Sequence, residues 1–266
     1  MMKVGLSTCG KVVDEKLFAD YKKAGITHME VSMGGKQQTF DYKLIKECAL
    51  KYGVNLWSFH LPFYPFEEID LSKKELVKDA ICYYEELIKK GADIGIENFV
   101  IHPSGEPIGD EERAERMKCA KESLAVLSDV AKKYGSVIAV EDLPRSCLGK
   151  NSNEIKELIS LNDDLRVCFD TNHLLNEPIC NFIYALGDKI VTTHISDYDF
   201  VDEKHWLPGE GKINWQELYK ALLDVGYKGP WLYELGFKAP VHMPRECDLT
   251  CEDFYNNAKE IFEGRL

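Results

Sequence analysis

Four short apolar runs in the second half of the chain each carry a residue that could do chemistry: VIAVEDL has Glu141, RVCFDTNH has Asp170 and His173, IVTTHIS has His194 and WLYELG has Glu234. Each run is rich in β-branched and aromatic residues, as a buried strand is, and each breaks that pattern near its end with a carboxylate or an imidazole. A carboxylate in an apolar setting is costly unless something positive meets it. Glu141, Asp170, His194 and Glu234 together offer oxygen and nitrogen donors without a thiolate. That set suits one divalent ion of manganese, cobalt, magnesium or zinc and leaves positions open for substrate oxygens. The alternative is that Glu141 and Glu234 pair with Arg145, Arg166 or a lysine at the same end of the molecule.

Such residues must be brought to one place, and the order of elements says how. Apolar runs predict strands over 3–8, 26–33, 55–62, 98–105, 137–143, 166–170, 190–195 and 230–235. Helical segments fall between them at about 14–24, 41–52, 72–91, 111–134, 153–160, 181–186 and 215–225, with a last one opening at Thr250. Gly25, Gly53, Gly91 and Gly135 stand where helices should stop, and Ser72 with Glu75 and Thr250 with Asp253 have capping-box spacing. Eight strands and eight helices in strict alternation predict an α/β fold, a single (β/α)8 TIM barrel spanning residues 1–266 as one domain. The glycine-rich fingerprint of an open dinucleotide-binding sheet is missing after the first strand. In such a barrel the chemistry sits where the strands end, and Glu30, His60, His102, Glu141, Asp170, His173, His194 and Glu234 all stand there.

With 266 residues, 45% of them hydrophobic, the chain can bury a full core. No stretch approaches the roughly 20 apolar residues of a membrane span, and the first residues run into a strand rather than a signal peptide, so a cytoplasmic protein without a membrane partner is expected. The nine cysteines are scattered with no CxxC pair and read as reduced thiols, those at 82, 119 and 168 in apolar or helical settings. The net charge of −12, from 45 acidic and 33 basic residues, argues against nucleic acid as a partner.

The chain resembles the xylose isomerase-like TIM barrel superfamily (AP endonuclease family 2). That group includes ketose 3-epimerases, inosose dehydratase- and isomerase-like proteins, and endonuclease IV enzymes. The resemblance runs over nearly the whole chain. It rests on HLP around His60, HPSG around His102, VEDLP around Glu141, FDTNH from Asp170 to His173, HISDYD from His194, LPGEGKINW from Leu207 to Trp215 and YELG around Glu234. It implies that Glu141, Asp170, His194 and Glu234 hold one divalent metal ion, and that Glu141 and Glu234 are also the catalytic acid/base pair. One would remove the α proton of a ketose, sugar phosphate or inosose, and the other would return a proton. His60, His102, His173 and Trp206 would then line the pocket around a small carbohydrate or polyol. The turn at Pro208, Gly209 and Gly211 would brace the loop that carries His205. A homodimer follows only by family analogy.

The endonuclease branch, a zinc phosphodiesterase, implies a different use of the same positions. There His60, His102 and Glu141 match one zinc site, the quartet a second, and His173 with Asp202 and His205 a third, so multinuclear zinc is admitted. This chain departs in placing two residues between Asp202 and His205 instead of one. The loops FYPFEEIDLS, SGEPIGDEERAER and DYDFVDEKHW are acidic and would repel a duplex. Metal-dependent isomerase or epimerase chemistry is therefore the leading expectation, with an inosose dehydratase-type lyase as the alternative. Lys238 and Arg245 are the candidates for contacting a phosphate, and FYPF (63–66) is either a pocket lid or an interface patch.

Overall fold

A computed structural model describes residues 2–9, 11–240, 243 and 245–266. Eight parallel strands alternate with helices. The strands are β1 (Val4–Ser7), β2 (His28–Ser32), β3 (Asn55–His60), β4 (Asn98–Ile101), β5 (Val137–Glu141), β6 (Arg166–Asp170), β7 (Ile190–His194) and β8 (Trp231–Tyr233). Their order is sequential, with β1 paired to both β2 and β8. The ring closes between β7 and β8 through a bridge from Ile195 to Tyr233, in which Ile195 N–H donates to Leu232 O at 2.8 Å. This is the expected (β/α)8 barrel.

Among the described residues nine α-helices pack outside it: α1 (Glu15–Ala24), α2 (Tyr42–Tyr52), α3 (Phe66–Ile69), α4 (Val77–Asp93), α5 (Asp110–Lys133), α6 (Ser152–Leu158), α7 (Ile179–Leu186), α8 (Trp215–Asp224) and α9 (Cys251–Phe262). Local chemistry sets their ends. Asp14, Asp41, Asn151 and Asn214 each accept a backbone N–H three residues on, and Thr250 with Asp253 forms the capping box its spacing predicts. Gly25 closes α1 at φ 85°, a left-handed conformation that side chains resist. The strands are buried almost throughout. Phe59, Phe99, Phe169 and Trp231 are fully buried between barrel and helices, which is why their runs read as continuous apolar segments.

One predicted cap is absent. Ser72 does not start a helix, because Asp70 takes both its N–H and its hydroxyl proton, and Arg116 Nε donates to Ser72 Oγ at 2.7 Å. Arg116 also meets Asp70 Oδ2 at 2.7 Å, and Gly105 N–H donates to the same oxygen at 3.1 Å. This buried cluster ties the loop after β3 to the loop after β4. The next helix is thereby delayed to Val77, and the short α3 fills the gap. The cysteines are all free thiols, and Cys82 is exposed rather than in the core.

Candidate active site

Register brings the polar strand ends to one mouth of the barrel. Asp170 pairs with His194 across β6 and β7, and Glu141 pairs with Cys168 across β5 and β6, so three of the four candidate ligands point into the barrel mouth from one continuous ladder. Glu234 follows β8 directly. Donor atoms of Glu141, Asp170, His194 and Glu234 all lie within 4.8 Å of one another. His194 Nδ1 stands 2.9 Å from Glu141 Oε1, 3.0 Å from Glu234 Oε2 and 3.8 Å from Asp170 Oδ2. Arg145 and Arg166 are not their partners. Arg145 reaches Glu106, Asp202 and Glu203, and Arg166 donates to the carbonyls of Asp163 and Leu165.

The electrostatics of this floor are those of three carboxylates gathered on one buried imidazole. Burial pushes the Asp170 carboxyl up to about 6, against His173 and His205. Burial acts the same way on Glu141 and Glu234, but the charge of His194 prevails; it holds Glu141 well below the usual carboxylate range and Glu234 at about 2. Asp170 Oδ2 is buried without a hydrogen-bond partner, its nearest ring nitrogens standing 3.8 Å away. An unpaired carboxylate oxygen in the interior is expensive. That oxygen, and a donor set of three carboxylates and one imidazole, fit a divalent ion that prefers oxygen and nitrogen ligands.

A cavity of about 410 Å³ opens above the floor, lined by Glu141, Glu234, His60, His102, His173 and His205 together with Phe63, Glu203 and others. His60 Nε2 lies 3.1 Å from Glu141 Oε2 and 4.0 Å from Glu234 Oε1. Burial opposes a charge on His60, yet the two carboxylates outweigh it and raise the ring to about 9. His102 Nε2 faces the same Glu141 oxygen at 3.2 Å but is lowered, because burial is there reinforced by the charges of His60 and His173. Phe63 stacks on His102 with ring centres 4.6 Å apart, so the FYPF segment supplies a pocket wall, while its Tyr64 is exposed. His173 Nδ1 is fixed 2.7 Å from Asp142 O, which turns Nε2 toward the cavity.

The loop after β7 corrects two expectations. Trp206 is not among the residues that line the cavity; its N–H and C=O are both paired with Asp197, while its neighbour His205 reaches the cavity from a left-handed backbone at φ 52°. Asp202 does not join His173 and His205 either; its Oδ1 is taken by Arg145 at 2.9 Å, and Glu203 converges with the two histidines instead. Glu203 Oε1 stands 3.0 Å from His205 Nε2 and 3.8 Å from His173 Nε2. The signal that could have found it was in the sequence, because Glu203 and His205 have the single intervening residue that Asp202 lacks.

The PGEG turn does brace this loop. Asp197 accepts N–H groups from Gly209, Ile213 and Trp215 Nε1, and a side chain at Gly211 would lie 2.3 Å from Asp197 Oδ1. Arg245 is bound by Glu210 through two contacts of 2.7 and 2.6 Å, and among the described residues no lysine or arginine lines the cavity.

Barrel, strand-end ligands and cavity together define a (β/α)8 protein with an acid- and histidine-rich site in its C-terminal mouth. The chain belongs to the xylose isomerase-like TIM barrel family, whose family model matches residues 18–247. It is 25% identical over 251 residues to a fructoselysine 3-epimerase of Shigella flexneri, an alignment covering 88% of this chain and 90% of that protein. It is likewise 25% identical over 277 residues to a D-psicose 3-epimerase of Enterocloster bolteae, covering 92% and 89%. The crystal structure of a D-tagatose 3-epimerase-like protein superposes with a TM-score of 0.83 at 20% identity over 99% of this chain and 98% of that one, a likeness of fold. No helix among the described residues is long and apolar enough to cross a membrane.

Proposed function

We propose that the protein is a metal-dependent epimerase or isomerase that removes the proton α to the carbonyl of an unphosphorylated ketose or inosose. The observation that carries this reading is the convergence of Glu141, Asp170, His194 and Glu234 beneath the cavity, with Asp170 Oδ2 left without a hydrogen-bond partner. The activities of the fructoselysine and psicose epimerases support the substrate class. The absence of lysine and arginine from the cavity wall favours a neutral substrate over a phosphorylated one.

A divalent ion held by those four residues would polarise the substrate carbonyl and acidify the neighbouring C–H. One of Glu141 and Glu234 takes the α proton and the other gives one back, to the opposite face for epimerisation or to the adjacent carbon for isomerisation. His60, between their oxygens, is placed to pass a proton from one carboxyl to the other. His102 and His173 present ring nitrogens to substrate oxygens, and Phe63 keeps water from that wall.

The test is α-proton exchange in D2O with Mn²⁺, run over a panel of ketoses and inososes and followed by proton NMR. Glu141→Gln and Glu234→Gln keep volume and remove the base, so each should cut exchange about 10²- to 10⁴-fold while the barrel still folds. Retained exchange in both variants sinks the acid/base assignment. Loss of a β-hydroxyl in the same spectra would mark the dehydratase alternative. The trio of His173, Glu203 and His205 favours a second reading in which the mouth holds a second ion. Elemental mass spectrometry separates the two readings: about one equivalent of metal per chain supports the first, and two or three of zinc the second.

A further inference from the structure

Glu30, expected at a strand end, stands in the middle of β2 and has no part in the reaction proposed above, yet its side chain reaches across the barrel interior. It has no exposed surface, and its Oε2 lies 3.0 Å from His194 Nε2. Ser58 Oγ, from the neighbouring β3, donates to the same Oε2 at 2.8 Å, which fixes where the carboxyl points. The contact joins opposite sides of the ring. Resting on the metal-dependent reading given above, we propose that Glu30 is a positioning residue that holds His194 by Nε2–H so that Nδ1 faces the space between Glu141, Asp170 and Glu234.

The chemistry of imidazole carries the argument. A neutral ring has one N–H and one lone pair, and a ligating histidine almost always donates the other N–H to a carboxylate, carbonyl or water. Among the described residues, Glu30 is the acceptor facing His194 Nε2, while the three candidate ligand carboxylates gather on the Nδ1 side. Without Glu30, the Glu141 and Glu234 oxygens at 2.9 and 3.0 Å from Nδ1 would favour the tautomer that keeps the proton there, and no carboxylate would favour the one in which Nδ1 has the lone pair. A purely structural account is weaker, because a buried carboxyl on the inner wall of a barrel costs desolvation that a leucine would avoid. Ser58 alone does not require an acid. The other carboxyl oxygen, Oε1, has no partner, so the side chain is placed for one contact rather than for a general network.

The test is Co²⁺ binding to the full chain, read by titration calorimetry and by proton NMR of the Co²⁺ protein in H2O. Outer partners of metal-bound histidines are worth about 10- to 100-fold in affinity. Glu30→Leu should therefore bind Co²⁺ at least tenfold more weakly, with the shifted, slowly exchanging imidazole N–H signal of His194 lost. Glu30→Gln keeps an acceptor but no charge and should bind three- to tenfold more weakly with the N–H signal retained. Should the leucine variant fail to fold, the glutamine variant decides alone. Affinities within threefold of the wild type, with the N–H signal unchanged, overturn the inference and leave the metal-dependent reading standing. A wild-type chain that binds no Co²⁺, Mn²⁺ or Zn²⁺ overturns both, starting with that reading.

Discussion

The floor of the mouth and its rim are built by different means. The floor residues Glu141, Asp170 and His194 sit on strands, have no exposed surface, and take their positions from the ladder register of β5, β6 and β7. The rim trio takes Glu203 and His205 from a long loop, each about 30% exposed in its side chain. Backbone strain divides the same way. Among the described residues the non-glycine positions with positive φ are Arg145, Phe200 and His205, all in loops at the mouth, at 53°, 63° and 52°. A ladder fixes side chains against neighbouring strands, whereas the rim depends on Arg145 and Asp197 to hold its loops. The floor is therefore suited to chemistry that tolerates little displacement, and the rim to selecting what enters.

The sharpest break of that contrast is to disable the floor without touching the rim. Asp170→Asn keeps shape and removes charge at the floor carboxylate whose Oδ2 has no hydrogen-bond partner. Oδ1 accepts the N–H of Asn172 at 2.6 Å, leaving Oδ2 for the ion. Metal affinity should fall more than about 100-fold, beyond the effect of an outer partner, and turnover should fall with it. Calorimetric affinity within tenfold of the wild type would remove Asp170 from the ligand set. A milder intervention is to chelate the metal. An ion at about 100 times its Kd stabilises the folded state by about 2.7 kcal/mol, so removal should lower Tm by about 5–10 °C, measured by scanning calorimetry.

The rim should respond less and in another parameter. Glu203→Gln and His205→Ala are expected to raise KM several-fold with kcat within tenfold and metal content unchanged at one equivalent. A collapse of kcat, with zinc content falling by one, would transfer the trio from substrate contact to metal binding and erase the distinction between floor and rim.

The two regions were also unequally legible from sequence. Alternation of apolar strands and helices revealed the barrel, and a charged residue ending an apolar strand has few places to be other than the mouth, so the floor could be found by position alone. The rim could not, because in a loop each successive side chain points by local turn geometry rather than by a period of two. Asp202 and Glu203 are adjacent acids, and Arg145, distant in sequence, takes one oxygen of each, while the other oxygen of Glu203 meets His205. The bridge between Asp197 and Trp206 likewise pins the backbone of an expected pocket residue that does not line the cavity. Ser72 failed as a cap for a related reason, since a buried Asp70–Arg116 pair competes for its hydroxyl and no local spacing reports that pair.

The smallest expected effect sharpens the comparison most. Arg145 ties three loops, holding Glu106 after β4 and Asp202 and Glu203 after β7 from its own place after β5. Its side chain is 40% exposed, so breaking these pairs should cost less than about 1 kcal/mol of stability. Methionine keeps much of the aliphatic reach and none of the charge, and its effect should therefore appear in the loop rather than in the fold. Glu203 would lose the donor that fixes Oε2 at 2.9 Å, and its other oxygen would wander from His205. For Arg145→Met we expect Tm within about 3 °C of the wild type, metal affinity unchanged, and KM raised about two- to fivefold with a broader range of accepted sugars. Measured metal affinity is the discriminating quantity. If it falls with KM, the rim reaches down to the floor through Glu203 and His173, and the two regions are one site; if it holds while selectivity relaxes, the loops govern entry and the strands govern the reaction.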